Sequence, residues 1–158
     1  MNFSVWKTIK LGGFKNVSDL KNALLQNGFK IGDWANDVMQ SAEFSLARDE
    51  REVNLVRVSG RSLGFTEATH RDDVYARALI MGLSLCPLEV GPHLRLALLT
   101  QPHLESLQIG MEPQKDSEGH QSEFRVVHAH DCQLFLAGDH RHPSDIWCLD
   151  EEFVFVLP

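Results

Sequence analysis

The chain has little cysteine, few basic residues and no long apolar run, and each shortage excludes something. Its three cysteines, Cys86, Cys132 and Cys148, are odd in number and widely spaced. They make no disulfide framework and fit reduced thiols in a cytoplasmic protein. No stretch approaches the roughly 20 apolar residues that cross a bilayer, so no membrane partner is expected. The opening M-N-F-S-V-W-K-T-I-K has neither an uninterrupted apolar core nor a small-residue cleavage site, which excludes a signal peptide. Lys and Arg number 15 against 22 Asp and Glu, a net charge of −7. That is the wrong sign for a general nucleic-acid binder, which needs a basic footprint. A Gly-rich phosphate loop, a G-x-S-x-G elbow and an H-E-x-x-H motif are all missing, and no cofactor is expected.

What is present suits a globular domain. The 158 residues are 43% hydrophobic and 23% charged, enough for one domain, residues 1–158, with a sizeable core. Helical patterns come first and alternating strands later, so the fold class is α+β: a mostly antiparallel sheet packed against two to three helices.

An arm or short strand leads to a Gly12-Gly13 turn. Asn16 or Ser18 caps a first helix with Leu20, Ala23 and Leu24 inward and Gly28 at its end. Asp33 opens a second, with Trp34, Val38 and Met39 inward and Trp34 as a core anchor. Residues 44–48 and 53–58 read as strands joined by a charged turn. Thr69 caps a third helix with Asp72 and Asp73 in its first turn, where the helix dipole favours acids, and Gly82 as its left-handed stop.

Pro87 and Pro92 then discourage another helix, and the period changes to two. Leu94, Leu96 and Leu98 alternate with Arg95, Ala97 and Leu99, and Leu107, Ile109 and Met111 with Gln108, Gly110 and Glu112. This predicts a hairpin with Arg95 opposite Glu112 and Ala97 opposite Gly110. Asp116-Ser117-Glu118-Gly119 is a turn into a strand whose Phe124 and Val126 extend the core face, with Arg125 near Gly110 and Glu123 near Glu112. The final F-V-F-V-L is apolar on both faces, so it is central in the sheet or covered by a second copy of the chain; a homo-oligomer is expected.

Two constellations carry candidate chemistry. The wet face of the predicted sheet gathers Arg95, Gln108, Glu112, Glu123 and Arg125 around a small-residue floor of Ala97 and Gly110, a setting for a polar small ligand held by Arg95, Glu112, Arg125 and Gln108. The second is the histidine-rich set His128, His130, Cys132, His140 and His142, with Asp139 and Asp145 in reach. These residue types ligate zinc and other transition metals but match no zinc spacing, so surface histidines and no metal are expected, with a metal site as the alternative. Cys86 reads as a buried inert thiol, and Glu89 with His93 as a loop pair able to exchange a proton.

The segments F-K-I-G-D-W-A-N-D-V, Y-A-R-A-L-I-M-G-L-S-L-C-P-L-E-V-G-P-H-L-R-L and M-E-P-Q-K-D-S-E-G resemble a family of uncharacterised bacterial proteins carried on mobile elements, of the integron gene-cassette type. The resemblance implies no activity and no catalytic residues. It does imply a homo-oligomer with a pocket for a small molecule. The expected function is thus a small-molecule-binding or protein-interaction module. The alternative is a hydrolytic enzyme using the His/Cys/Asp cluster, with or without metal.

Overall fold

The computed structural model describes residues 2–158. Among them ten strands and four helices alternate irregularly along the chain. The strands are β1 (Lys7–Leu11), β2 (Lys30–Ile31), β3 (Arg51–Ser59), β4 (Thr69–His70), β5 (Ser106–Ile109), β6 (Gln114–Lys115), β7 (Gln121–His128), β8 (Leu134–Asp139), β9 (Ile146–Trp147) and β10 (Glu152–Val156). The helices are α1 (Val17–Gln26), α2 (Asp33–Met39), α3 (Arg71–Ile80) and α4 (Val90–Ala97). The main sheet runs β1-β3-β10-β5-β7-β8-β2, with β6 beside β7, and β4 and β9 form a separate pair. The α+β class holds. The sheet is mixed, however, since β10 pairs β5 and β2 pairs β8 in parallel, and there are four helices where two to three were expected.

Strand alternation sorts side chains onto two faces. One face carries Leu107, Ile109, Phe124, Val126 and Val154, under Leu20 and Leu24 of α1, Val38 and Met39 of α2, and Val90 and Leu94 of α4. The other carries Val56, Val58, Phe153 and Phe155, under Val74, Tyr75 and Ala78 of α3. The C-terminal strand is covered on both faces because it is inserted between β3 and β5. The apolar F-V-F-V therefore needs no second copy of the chain to shield it. Among the described residues no helix is long and apolar enough to cross a membrane.

Several local readings stand. Asn16 caps α1, its side chain accepting the Asp19 N–H at 2.9 Å. Helix α3 ends as the Gly82 signal requires. Gly82 takes φ +97°, its N–H reaches Leu79 O, and Leu83 folds back with its N–H on Ala78 O. Thr69, by contrast, does not cap α3. The N-cap is His70, without a side-chain bond, because Thr69 is paired with Trp147 in the β4–β9 ladder. Trp34 is 45% exposed and anchors no core. Residues 44–48 form no strand, although Phe44 is buried.

The largest correction concerns residues 90–97, which form helix α4 and not the first arm of a hairpin. Pro92 falls in the first turn, where a backbone N–H has no intrahelical partner to lose, so the ring is tolerated there. The leucine pattern misleads because α4 is buried nearly all round, from Val90 through Arg95. It presses so closely on the sheet that a Cβ on Gly91 would stand 2.6 Å from the Phe124 ring. The expected small-residue floor is also absent: the space over Gly110 is filled by Phe155, 2.4 Å from where a Cβ would be.

Candidate functional site

Arg95 and Glu112 are not a pair. Arg95 is fully buried on α4, whereas Glu112 is exposed beyond the end of β5. The Arg95 guanidinium donates from Nη1 to Gln101 Oε1 at 2.8 Å, Val127 O at 3.1 Å and Phe135 O at 3.3 Å, and from Nη2 to Leu98 O. Phe29 lies 5.0 Å from its carbon. Burial without a carboxylate pushes its pKa down to about 10, which leaves it charged at neutral pH. It ties α4 to β7 and β8 and offers nothing to a ligand.

Gln108 and Arg125 do come together. They are directly opposed on β5 and β7 and point to the α3 face. Arg125 is expected near Gly110 and pairs instead with Gln108, two residues away, and a two-residue step preserves the face. On this face the apolar half under α3 gives way to a polar strip. Glu123 there accepts from Arg71 Nη1 at 2.6 Å, from Gln108 Nε2 at 3.1 Å and from the Tyr75 hydroxyl. All four side chains are buried, Gln108 at 2% exposure and Glu123 at 4%. Burial raises the Glu123 carboxyl above its ordinary value, although Tyr75, Arg71 and Gln108 each pull it down. Burial alone would lower Arg71, but the Glu123 carboxylate overrides it and the guanidinium is raised. The cost of burying the pair therefore falls on the carboxyl.

Beside this network opens a cleft of about 320 Å³ lined by Leu104, Glu105, Ser106, Gln108, Arg125, Trp147, Asp150, Glu151 and Glu152. Its carboxylates are engaged from outside: Glu105 and Glu152 by Arg57, Asp150 by Arg61 at 2.9 Å, and Glu151 by Arg141 at 2.7 Å. Arg125 Nη2 donates to Ser106 Oγ. Two buried polar atoms of the lining residues are left over, the Gln108 amide oxygen and Arg125 Nε. Leu104, at the rim, holds φ +70°, a strained conformation for a leucine.

The histidine-rich set does not converge. His128 Nδ1 bonds Gln101 O at 2.7 Å and its ring meets His103, while His130 and Cys132 lie in the turn after β7. His142 bonds Ser144 Oγ at 2.7 Å in a separate loop. Of the five, His140 alone joins other metal-type ligands, Asp116 and His120. Cys86 is buried, as expected, and burial pushes its thiol up, which makes it a poor nucleophile. Glu89 and His93 are 3.0 Å apart and buried. Glu89 also accepts the N–H groups of Gly12 and Ala47, both at 2.9 Å. It fastens the end of β1 and the 44–48 segment to α4.

Sequence reasoning missed Arg71, Tyr75 and Glu123 as a unit because 52 and 48 positions separate the helix residues from the carboxylate. It also missed Asp116 with His120, whose spacing of four inside a marked turn was a signal open to use. Together these features define an α+β fold with a polar cleft at the edge of a buried ionic network. No protein-family model matches the chain, and no curated protein or solved structure matches it either.

Proposed function

We propose that this chain is a small-molecule-binding module whose ligand sits in the cleft between β5, β7 and the segment before β10. The observation that carries the reading is the pair of unsatisfied buried atoms on two of the lining residues, Gln108 Oε1 and Arg125 Nε, which a side-chain shift toward a ligand would bring into use. A buried polar atom without a partner costs on the order of 1–3 kcal/mol, and a ligand that supplies the missing bond recovers that energy. The amide oxygen requires a donor and the guanidinium nitrogen an acceptor. A neutral compound presenting both side by side, such as an amide or a polyol, meets the two demands. The four carboxylates Glu105, Asp150, Glu151 and Glu152 are balanced by Arg57, Arg61, Arg141 and Arg125 itself, so the cleft favours neither sign of charge and suits a neutral compound. The volume admits only a small compound, being at the low end of the roughly 300–1,000 Å³ common for ligand sites.

A mobile-element origin, as the cassette resemblance implies, suits an accessory binding protein, and the L-C-P-x-E-V-G-P-x-L-R-L run is its support. Thermal denaturation against a set of neutral amides, polyols and small organic acids tests the reading. At least one neutral compound is expected to raise Tm, and the rise should vanish in Arg125→Ala. Stabilisation by acids only, or a rise that survives Arg125→Ala, would overturn it.

A further inference from the structure

On the opposite face of the sheet, and independent of the cleft, a second cluster has the makings of a metal site. The β6–β7 turn builds half of it. Asp116 Oδ1 accepts the backbone N–H groups of Glu118 and His120, both at 2.9 Å, and the Asp116 N–H donates to His120 O at 2.8 Å. These bonds occupy one carboxylate oxygen and fix the other, Oδ2, in place. His140, just past β8, supplies the other half. Asp139 lies opposite Glu123 on the cleft face, so the next side chain turns the other way, and the His140 ring rests on Trp34 of α2 at 4.2 Å.

Asp116 Oδ2 and His140 Nε2 are 2.8 Å apart, yet they do not meet in hydrogen-bond geometry, and both are buried without a partner. The Asp116 side chain is only 1% exposed, so its free oxygen is shut away from bulk water. The His120 ring stands edge-on to His140 at 4.4 Å and is 57% exposed, which leaves one side open to solvent. One donor atom from each of the three residues lies within 4.8 Å of the others. Around a tetrahedral ion with bonds near 2.0–2.1 Å, ligand atoms stand about 3.4 Å apart. The Asp116–His140 separation of 2.8 Å is shorter than that spacing and the 4.8 Å limit of the cluster longer, so binding requires the pair to open and His120 to close in.

We propose that Asp116, His120 and His140 bind one divalent transition-metal ion. Two imidazoles with one carboxylate are a nitrogen-rich set that favours zinc, cobalt, nickel or copper over magnesium or calcium, which take oxygen ligands. The remaining position faces solvent on the His120 side, within reach of water or of Glu118, whose Oε2 is 3.5 Å from His120 Nδ1. Ser117 Oγ, donating to Asp37 Oδ2 at 3.1 Å, ties the turn to α2 and steadies the ligands.

Titration of the full-length, tag-free chain with cobalt(II), followed by visible absorption and calorimetry, is the test. One equivalent per chain is expected, with the intense absorption of a four-coordinate site. Binding should weaken by more than about tenfold in His120→Ala and in His140→Ala and stay unchanged in His142→Ala, a nearby histidine outside the cluster. His120 is exposed, so its variant keeps the fold even if that of His140 does not. No cobalt uptake by the unaltered chain, or uptake that His120→Ala leaves intact, would overturn the proposal.

Discussion

Arg71 and Arg95 are both buried, and their settings differ in what opposes the charge. Arg71 faces a carboxylate, Glu123, which is also held by Tyr75 and by Gln108 at the cleft wall. Arg95 faces no carboxylate and is bonded to three main-chain carbonyls and the Gln101 amide. A charge opposed by a charge stands beside an open cleft in the first region. In the second, a charge wrapped in carbonyls, its Nε also buried without a partner, braces α4 against the sheet away from any opening. Residue type alone does not tell the two apart.

Removing the carboxylate from the first region has the largest expected effect. Glu123→Ala strands the Arg71 charge, with the exposed Asp72 as its remaining acid, leaves the Gln108 amide short of an acceptor and leaves the Tyr75 hydroxyl only the long bond to Ile109 O at 3.4 Å. A loss of about 3–5 kcal/mol is expected in urea unfolding. In the second region, Arg95→Met leaves four acceptors bare but also relieves a costly burial of charge. The expected net loss is smaller, about 2 kcal/mol, with ligand stabilisation intact. A gain in stability would show that burying Arg95 costs more than its bonds return. Arg125→Ala is smaller still, under about 1 kcal/mol in the ligand-free chain, because the side chain is only partly buried. Its signature is the lost response to neutral ligands.

The smallest effect is in pH dependence. The folded state keeps Glu123 protonated to higher pH than the unfolded chain does. Its contribution to stability is therefore full below the ordinary glutamate value and is lost as pH rises through the raised folded one. Urea midpoints between about pH 4 and 7 should show this falling component in the natural chain and lack it in Glu123→Gln. Arg95, titrating near pH 10, adds nothing in that window. A slope that persists in Glu123→Gln would place the titrating group elsewhere.

Elements governed by neighbours a few residues away were legible. The Asn16 cap, the Gly82 stop, the turn at residues 116–119 and the alternation of β7 all follow from local chemistry. The site was half legible for the same reason. Gln108 and Arg125 share a face because each alternates correctly within its own strand. Arg95 was misread because its alternating leucines sit in a helix buried nearly all round, where no periodicity marks a wet side.

The amino-acid sequence alone determined the α+β class, the cap of α1, the stop of α3, and which β7 side chains face oil and which face polar neighbours. Those properties depend on backbone geometry and side-chain period over a single turn or strand. Only the tertiary structure decided that the last strand lies between β3 and β5, that Arg71 meets Glu123, and that His140 meets Asp116. Each of those is a contact between distant parts of the chain, chosen by what the packed interior can bury and by which charges it must bring together.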